Sequence, residues 1–71
     1  MRNITATIRF SRHGEYENSE HYEVDIPANT KEDDEVEAIM DAVRPILQDE
    51  YEDDEDWENG DMGWTLHSWE G

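Results

Sequence analysis

The sequence predicts an α+β fold of order ββαβ, in which one kinked amphipathic helix packs on one face of a three-stranded antiparallel sheet of strand order 2-1-3. Two patterns lead to this prediction. Apolar and polar residues alternate at about 3–11, 20–26 and 63–69, which is the period of a half-buried strand. Over about 31–53 apolar residues recur every three or four positions, which is the period of a helix. The chain is expected to form a single domain, 1–71.

The first two strands are expected to form a hairpin. The buried side of the first strand is predicted to carry Ile4, Ala6, Ile8 and Phe10. The segment 12–20 contains Gly14 and several polar residues, so it is predicted to be a loop. The apolar side of the second strand is then formed by Tyr22, Val24 and Ile26. Pro27 ends this strand because proline cannot donate a hydrogen bond to a ladder.

The helix is predicted from a continuous apolar stripe. Its members are Val36, Ile39, Met40, Val43, Leu47 and Tyr51. Thr30 is the expected N-cap, because its hydroxyl can accept a hydrogen bond from a backbone amide of the first turn. Pro45 falls opposite the stripe, where it is expected to kink the helix. The alternative is a pair of short helices that meet near Arg44.

The third strand follows an acidic segment. Residues 53–62 are too polar for a core and contain Gly60, so we expect a loop there. In the strand at 63–69, strict alternation puts Trp64 and Leu66 on the side of the helix. The opposite side is expected to carry Thr65, His67 and Trp69.

No pattern in the chain indicates catalysis or a bound cofactor. Without cysteine, disulfides, zinc–thiolate sites and thiol catalysis are excluded. The serines and histidines lack the spacing of a catalytic triad, and the spacing of a calcium loop fails because Trp57 and Leu66 occupy ligand positions. We therefore expect no enzymatic activity, no cofactor and no specific metal site, only weak divalent-cation binding along the acidic run 49–56.

The dominant feature of the composition is its acidity. Asp and Glu number 21 against five Lys and Arg, which gives a formal net charge of -16. Direct binding to nucleic acid or to an anionic membrane is therefore not expected. The chain also begins without the apolar run of a signal peptide, and a cytoplasmic protein is expected. The charge is unevenly placed, because residues 1–31 carry a net charge of -1 and residues 32–71 carry -15.

This concentration of charge has two interpretations. An acidic run is often only a solvated face, and acidic proteins also occur where high salt demands strong hydration. However, ordinary solubility needs a net charge of only about 2 to 8 in magnitude. Residues 32–56 carry a net charge of -12 over a helical length of about 37 Å, which is of the same order as the charge density along one DNA strand. We therefore favour a surface prepared for a partner.

In size, composition and predicted architecture the chain resembles the small acidic DNA-mimic inhibitors of phages and mobile elements, such as anti-CRISPR and anti-restriction proteins. The resemblance covers residues 32–61. It implies that acidic side chains imitate phosphates and block the basic DNA-binding channel of a host defence complex. The partner implied is a CRISPR effector, preferably a type I Cascade complex, or a restriction nuclease inside a bacterial cell.

The expected contact residues are the acids on the outer side and at the far end of the helix. They are Asp34, Glu37, Asp41, Asp49, Glu50, Glu52, Asp53, Asp54, Glu55, Asp56, Glu58 and Asp61. Trp57 and Trp69 are either contact residues or packing residues. We expect a monomer. The competing hypothesis is an immunity or antitoxin protein, or a phage factor for a host protein, that binds a basic partner without imitating DNA.

Overall fold

The computed structural model describes all 71 residues. It contains the strands β1 (Arg2–Arg12), β2 (Glu15–Ile26) and β3 (Met62–Glu70), and the helices α1 (Glu35–Glu50) and α2 (Glu55–Asn59). A 3₁₀ turn at Glu32–Asp34 leads into α1. The three strands are antiparallel in the order β2-β1-β3, which confirms the predicted α+β class and topology.

The core lies between the sheet and α1. Its ten buried residues are Ile4, Ala6, Ile8, Phe10, Val24, Ile26, Ile39, Val43, Leu47 and Met62. The central strand β1 supplies four of them, and each is at most 1% exposed. From α1 come Ile39, Val43 and Leu47, which are spaced four residues apart on one face of the helix. These residues therefore lie on the predicted side. Val36, in the first turn of α1, is the exception: it is 43% exposed, so its predicted place in the buried stripe is wrong.

The hairpin is longer than the sequence predicts. The expected loop at 12–20 is wrong, because β1 and β2 pair up to Arg12 and Glu15 and only His13 and Gly14 connect them. Both connecting residues have positive φ, 51° and 83°. Positive φ at both positions is typical of two-residue hairpin turns, because it matches the right-handed twist of the two strands. The outer half of β2 shows no alternation because its residues are exposed apart from Asn18. A register shift between Phe10 and Ser11 also leaves Glu17 as an extra residue in this half.

A bulge in β3 changes which side Trp69 occupies. Thr7 pairs with Ser68 and Ile8 pairs with Leu66, so His67 is an extra residue in β3. Trp69 consequently pairs with Ala6 and packs against the core, on the same side as α1. Its predicted place on the opposite side is wrong, because strict alternation does not hold across a bulge.

The helical region also differs from its predicted bounds of 31–53. Thr30 is not the N-cap, because its hydroxyl donates to the carbonyl oxygen of Pro27 at 2.7 Å and closes a turn before the helix. Asp34 occupies the N-cap position of α1. The helix then runs through Pro45 without interruption, so the alternative of two short helices near Arg44 is wrong. Pro45 is tolerated because it lies on the exposed side.

The predicted acidic loop at 53–62 contains the helix α2. Its N-cap is Asp54, whose carboxylate accepts hydrogen bonds from the amides of Asp56 and Trp57. Its C-cap is Gly60, with a left-handed φ of 81°. Asp54 and Gly60 thus mark the start and the end of α2. The chain then enters β3 at the buried Met62.

Candidate acidic interface

The exposed acids form two patches along the helical side of the molecule. The N-terminal acidic patch consists of Glu32, Asp33, Asp34, Glu37 and Asp41. The C-terminal acidic patch consists of Asp49, Glu52, Asp53, Glu55 and Glu58. Residues 42–48 of α1, which lie between the patches, contain no acid. Glu32 and Asp33 were not among the predicted contact residues, but they belong to the same acidic run and are also exposed.

Most of these carboxylates are unpaired. In the N-terminal acidic patch only Asp41 has a partner, Arg44, whose Nη1 donates to Asp41 Oδ1 at 3.0 Å on the exposed surface. The other nine side chains of the two patches make neither a hydrogen bond nor an ion pair within the chain. They are therefore available to a partner without the loss of any internal contact.

Two predicted contact residues are used inside the fold instead. Arg12, at the end of β1, donates two hydrogen bonds to Asp54, from Nη1 to Oδ1 at 3.0 Å and from Nη2 to Oδ2 at 2.8 Å. The same Nη1 donates to Asp56 Oδ2 at 2.8 Å, and Nε donates to Glu17 Oε2 at 2.7 Å. One guanidinium therefore holds three carboxylates, and it ties the start of α2 to the sheet.

The electrostatics of this cluster follow from its geometry. The hydrogen bonds from Arg12, with those from the amides of Trp57 and Asp56, lower the pKa of Asp54 to about 2. The same carboxylates raise the pKa of Arg12 above its ordinary value, so the guanidinium stays charged. Asp54 is thus an ionised structural residue whose charge is already matched by a cation.

Glu50 is also engaged within the chain. It is exposed, but its Oε2 accepts a hydrogen bond from the hydroxyl of Tyr22 at 2.9 Å, which ties the end of α1 to β2. Burial and this hydrogen bond to a carboxylate both raise the pKa of Tyr22. The hydroxyl is therefore a stable donor, and Glu50 is oriented by the sheet.

The aromatic residue inside the acidic segment is a packing residue. The ring of Trp57 stacks on that of Tyr51 with centroids 5.8 Å apart, and Tyr51 in turn lies against the buried Phe10 at 5.3 Å. The indole Nε1 of Trp57 donates to Gln48 Oε1 at 3.1 Å. α2 is therefore fixed on α1 by stacking as well as by the Arg12 cluster.

The largest surface groove lies beside the N-terminal acidic patch. It is open, has a volume of about 350 Å³, and is lined by Lys31, Asp34, Glu37 and Asp41 among other residues. The hydroxyl of Thr30, which also lines the groove, donates to the carbonyl oxygen of Pro27. The groove thus continues the acidic surface, with Lys31 as its one cation.

The twelve predicted contact residues therefore fall into different environments. Asp34, Glu37, Asp49, Glu52, Asp53, Glu55 and Glu58 are exposed and unpaired. Asp41 and Glu50 are exposed but have internal partners, and Asp54 and Asp56 are bound by Arg12. Asp61 is exposed, and its backbone carbonyl accepts a hydrogen bond from the amide of His13 at 2.8 Å.

Comparison with models of protein families, with curated proteins and with solved structures gives no match to this chain. Neither α1 nor α2 has the length and apolar character that a membrane-spanning helix requires.

Proposed function

We propose that this protein is an inhibitor that imitates DNA with its acidic surface and occupies the basic DNA-binding channel of a host defence complex. The preferred target is a CRISPR effector of the type I Cascade class, in the cytoplasm of a bacterial cell. The observation that carries the proposal is the set of nine exposed, unpaired carboxylates, four in the N-terminal acidic patch and five in the C-terminal acidic patch.

The spacing of the patches supports imitation of a duplex. Asp41 and Asp49 are eight residues apart on α1, which is a rise of about 12 Å along the helix axis and a rotation of about 80° around it. The major groove of B-DNA is also about 12 Å wide between its phosphate rows. A protein whose Lys and Arg side chains contact phosphates on both sides of that groove would meet a carboxylate patch on each side of the gap.

The overall size supports the same conclusion. The longest dimension of the fold is 37 Å, and one helical turn of B-DNA is about 34–36 Å long. The protein therefore has the length to fill a channel made for roughly one turn of duplex. Its charge of -16 supplies the long-range attraction that brings it to a basic channel.

The acids are also held in place before binding. α1 is anchored to the sheet by its buried face, and α2 is anchored by Arg12 and by the stack of Trp57 on Tyr51. A rigid charge pattern loses less conformational freedom on binding than a disordered acidic tail. This rigidity favours a mimic of a stiff duplex over an unspecific acidic tail.

Competition for DNA tests the proposal. A guide-loaded type I CRISPR complex and a restriction nuclease are each mixed with a labelled target duplex, and bound DNA is measured by fluorescence anisotropy as the protein is added. We expect displacement of DNA from one of these complexes, and we expect it to weaken as salt screens the charges.

Three triple variants locate the surface. Asp34→Lys/Glu37→Lys/Asp41→Lys changes the N-terminal acidic patch, and Asp49→Lys/Glu52→Lys/Asp53→Lys changes the C-terminal acidic patch. The matched control, Glu15→Lys/Glu20→Lys/Glu23→Lys, changes net charge equally on the edge strand β2. Each patch variant should lose at least about tenfold in apparent affinity, about 1.4 kcal/mol, while the control should retain most of it.

Two results would refute the mimic. Equal potency of the patch variants and the wild-type protein would mean that the acids do not carry the inhibition. Binding to a basic partner whose DNA stays bound would leave the competing function, an acidic immunity-type protein that does not imitate DNA. If the protein reduces DNA binding by neither of the two complexes, the proposed target class is also refuted.

A further inference from the structure

Outside the acidic patches, the turn between β1 and β2 brings an imidazole close to two carboxylates. His13, Asp56 and Asp61 each offer one donor atom that lies within 4.8 Å of the other two. They come from the hairpin turn, from α2 and from the segment before β3, so no run of acids along the chain produces the cluster. We propose that these three residues form a binding site for a borderline divalent cation such as Zn²⁺, Co²⁺ or Ni²⁺.

The distance between the first two ligands fits such an ion. His13 Nε2 lies 3.4 Å from Asp56 Oδ1. Two ligand atoms bound tetrahedrally to one Zn²⁺ at about 2.0–2.1 Å are separated by about 3.4 Å. The pair thus needs little movement to take up an ion. Asp61 is exposed, so its side chain is free to turn toward the same point.

The backbone and Arg12 position these ligands. The amide of His13 donates to the carbonyl oxygen of Asp61 at 2.8 Å, which fixes the hairpin turn beside the start of β3. Arg12 Nη1 donates to Asp56 Oδ2 at 2.8 Å and leaves Oδ1 facing His13. A carboxylate that binds a metal through one oxygen and a hydrogen-bond donor through the other is common in metal sites.

The ligand set determines the class of ion. Imidazole nitrogen favours Zn²⁺, Ni²⁺, Co²⁺ and Cu²⁺, whereas Ca²⁺ and Mg²⁺ prefer oxygen ligands alone. The two acidic patches offer only oxygen and should bind any divalent cation weakly. A site that depends on His13 is therefore distinguishable from the general acidic surface. Three protein ligands leave at least one coordination position for water.

Suitable variants exist for two of the three ligands. His13→Asn removes the imidazole and preserves the turn, because Asn is favoured at a position with positive φ in a two-residue hairpin connection. Asp61→Asn removes a charged ligand and keeps the backbone carbonyl that His13 uses. His67→Asn is the matched control, because it removes an exposed imidazole that is not part of the cluster.

The experiment is a titration of metal-free protein with Zn²⁺ by calorimetry and with Co²⁺ by visible absorption. We expect one saturable site in the wild-type protein and in His67→Asn, with a rise in the unfolding midpoint on Zn²⁺ binding. His13→Asn and Asp61→Asn should each bind at least about tenfold more weakly. Mg²⁺ binding should be equal in the wild-type protein and His13→Asn.

Either of two results would overturn the site. Equal Zn²⁺ affinity of His13→Asn and the wild-type protein would assign the binding to the acidic surface alone. The absence of a saturable one-to-one phase in the wild-type protein would mean that His13 and Asp56 make only a local contact. Circular dichroism of each variant establishes that it is folded, so a loss of binding reports on the ligand that was removed.

Discussion

Arg12 and Asp54 are 42 residues apart in sequence and are joined by two parallel hydrogen bonds of 3.0 and 2.8 Å. This pairing connects the end of the central strand to the N-cap of α2. One of the five basic residues of a chain with 21 acids is therefore used to fix the architecture rather than to offset surface charge. Bidentate pairing of this kind requires the planar guanidinium of arginine.

The first prediction concerns this connection. Arg12→Ala leaves Asp54, Asp56 and Glu17 close together without their shared cation, so the variant should unfold several degrees below the wild-type protein. Arg12→Lys should recover only part of the loss, because an ammonium group cannot reproduce the two parallel hydrogen bonds. Thermal unfolding followed by circular dichroism measures both variants.

Arg44→Ala is the control for that comparison. It also removes one arginine and its ion pair, but Arg44 and Asp41 are both highly exposed, and exposed pairs of this kind contribute little. If Arg12→Ala and Arg44→Ala lower the midpoint equally, the Arg12 cluster is not a structural connection but one more surface ion pair.

The second prediction concerns the pH dependence of Asp54. Its pKa is about 2 in the folded protein against 3.8 for the free side chain, so the folded state favours the ionised form. The contribution to stability is therefore fully present above about pH 4 and is lost as the pH falls toward about 2. Asp54→Asn tests this, because Asn retains the N-cap and removes the charge.

We expect the difference in unfolding midpoint between the wild-type protein and Asp54→Asn to be constant at neutral pH and to shrink below about pH 4. Glu55→Gln, at the neighbouring exposed and unpaired acid, is the control for the loss of one negative charge at the start of α2. A difference that stays constant down to about pH 2 would contradict the strong pairing of Asp54 with Arg12.

The sequence predicts those parts of the fold in which one side is buried and the other is exposed. Ile4 to Phe10 and Ile39 to Leu47 show their periods because the sheet and α1 cover one face of each. The outer half of β2 has no covered side and therefore no period. The bulge at His67 adds one residue to β3, and no residue in the sequence marks its position. The side of the sheet on which Trp69 lies therefore cannot be predicted from the alternation.

The predicted contact residues also divide into those whose environment follows from the sequence pattern and those whose environment depends on the tertiary fold. Exposure of Glu37 or Asp53 follows from the helical period and from the polarity of the segment. The pairing of Asp54 and Asp56 with Arg12 depends on the tertiary fold, which brings the hairpin turn beside α2. The helix α2 itself had a local signal, since Asp54 and Gly60 are typical residues for its two ends.

The third prediction concerns the hairpin turn. His13 and Gly14 both have positive φ, which costs about 1–2 kcal/mol for most residues with a side chain. Gly14→Ala should therefore lose about 1–2 kcal/mol, although open space surrounds the position of the added Cβ. His13→Asn should gain up to about 1 kcal/mol in the absence of metal, because Asn tolerates this conformation better.

Urea unfolding in the presence of a chelator measures both changes. Asn29→Ala, in the turn before α1, is a control for substitution at an exposed turn residue outside the hairpin connection. If Gly14→Ala is as stable as the wild-type protein, the backbone at this turn is not held at positive φ in solution.

The fourth prediction compares two neighbouring residues of α1. Leu47 is fully buried in the core, whereas Ile46 is 39% exposed. Leu47→Ala should cost about 2–5 kcal/mol, because it removes buried methyl groups and leaves a cavity. Ile46→Ala should change stability by no more than about 1 kcal/mol. Since a small domain has about 5 kcal/mol or little more in total, Leu47→Ala should be largely unfolded at 37 °C.

Urea unfolding at 25 °C gives both values on one scale. Similar losses in the two variants would mean that α1 is rotated about its axis from the orientation described. A small loss in Leu47→Ala alone would mean that the space it leaves is filled by rearrangement of the helix against the sheet.

The last prediction concerns the loss of folding stability that the acidic surface causes. Asp49, Glu52 and Asp53 lie at the C-terminal end of α1, where the helix dipole disfavours negative charge and where no basic residue offsets it. Asp49→Asn/Glu52→Gln/Asp53→Asn should therefore raise the unfolding midpoint. Raising NaCl from about 0.1 to 1 M should stabilise the wild-type protein for the same reason, since the Debye length falls from about 10 to 3 Å.

The salt-induced rise should be smaller in the neutralised variant, because fewer repulsions remain to be screened. Glu15→Gln/Glu20→Gln/Glu23→Gln is the control, because it removes as many charges from the edge strand β2. A greater rise in unfolding midpoint for Asp49→Asn/Glu52→Gln/Asp53→Asn than for the control would show that the acids at the end of α1 lower the stability of the fold. Such a cost is expected for residues that bind a partner. If the unfolding midpoint rises equally in both variants, the loss of stability comes from net charge alone and not from the position of the acids.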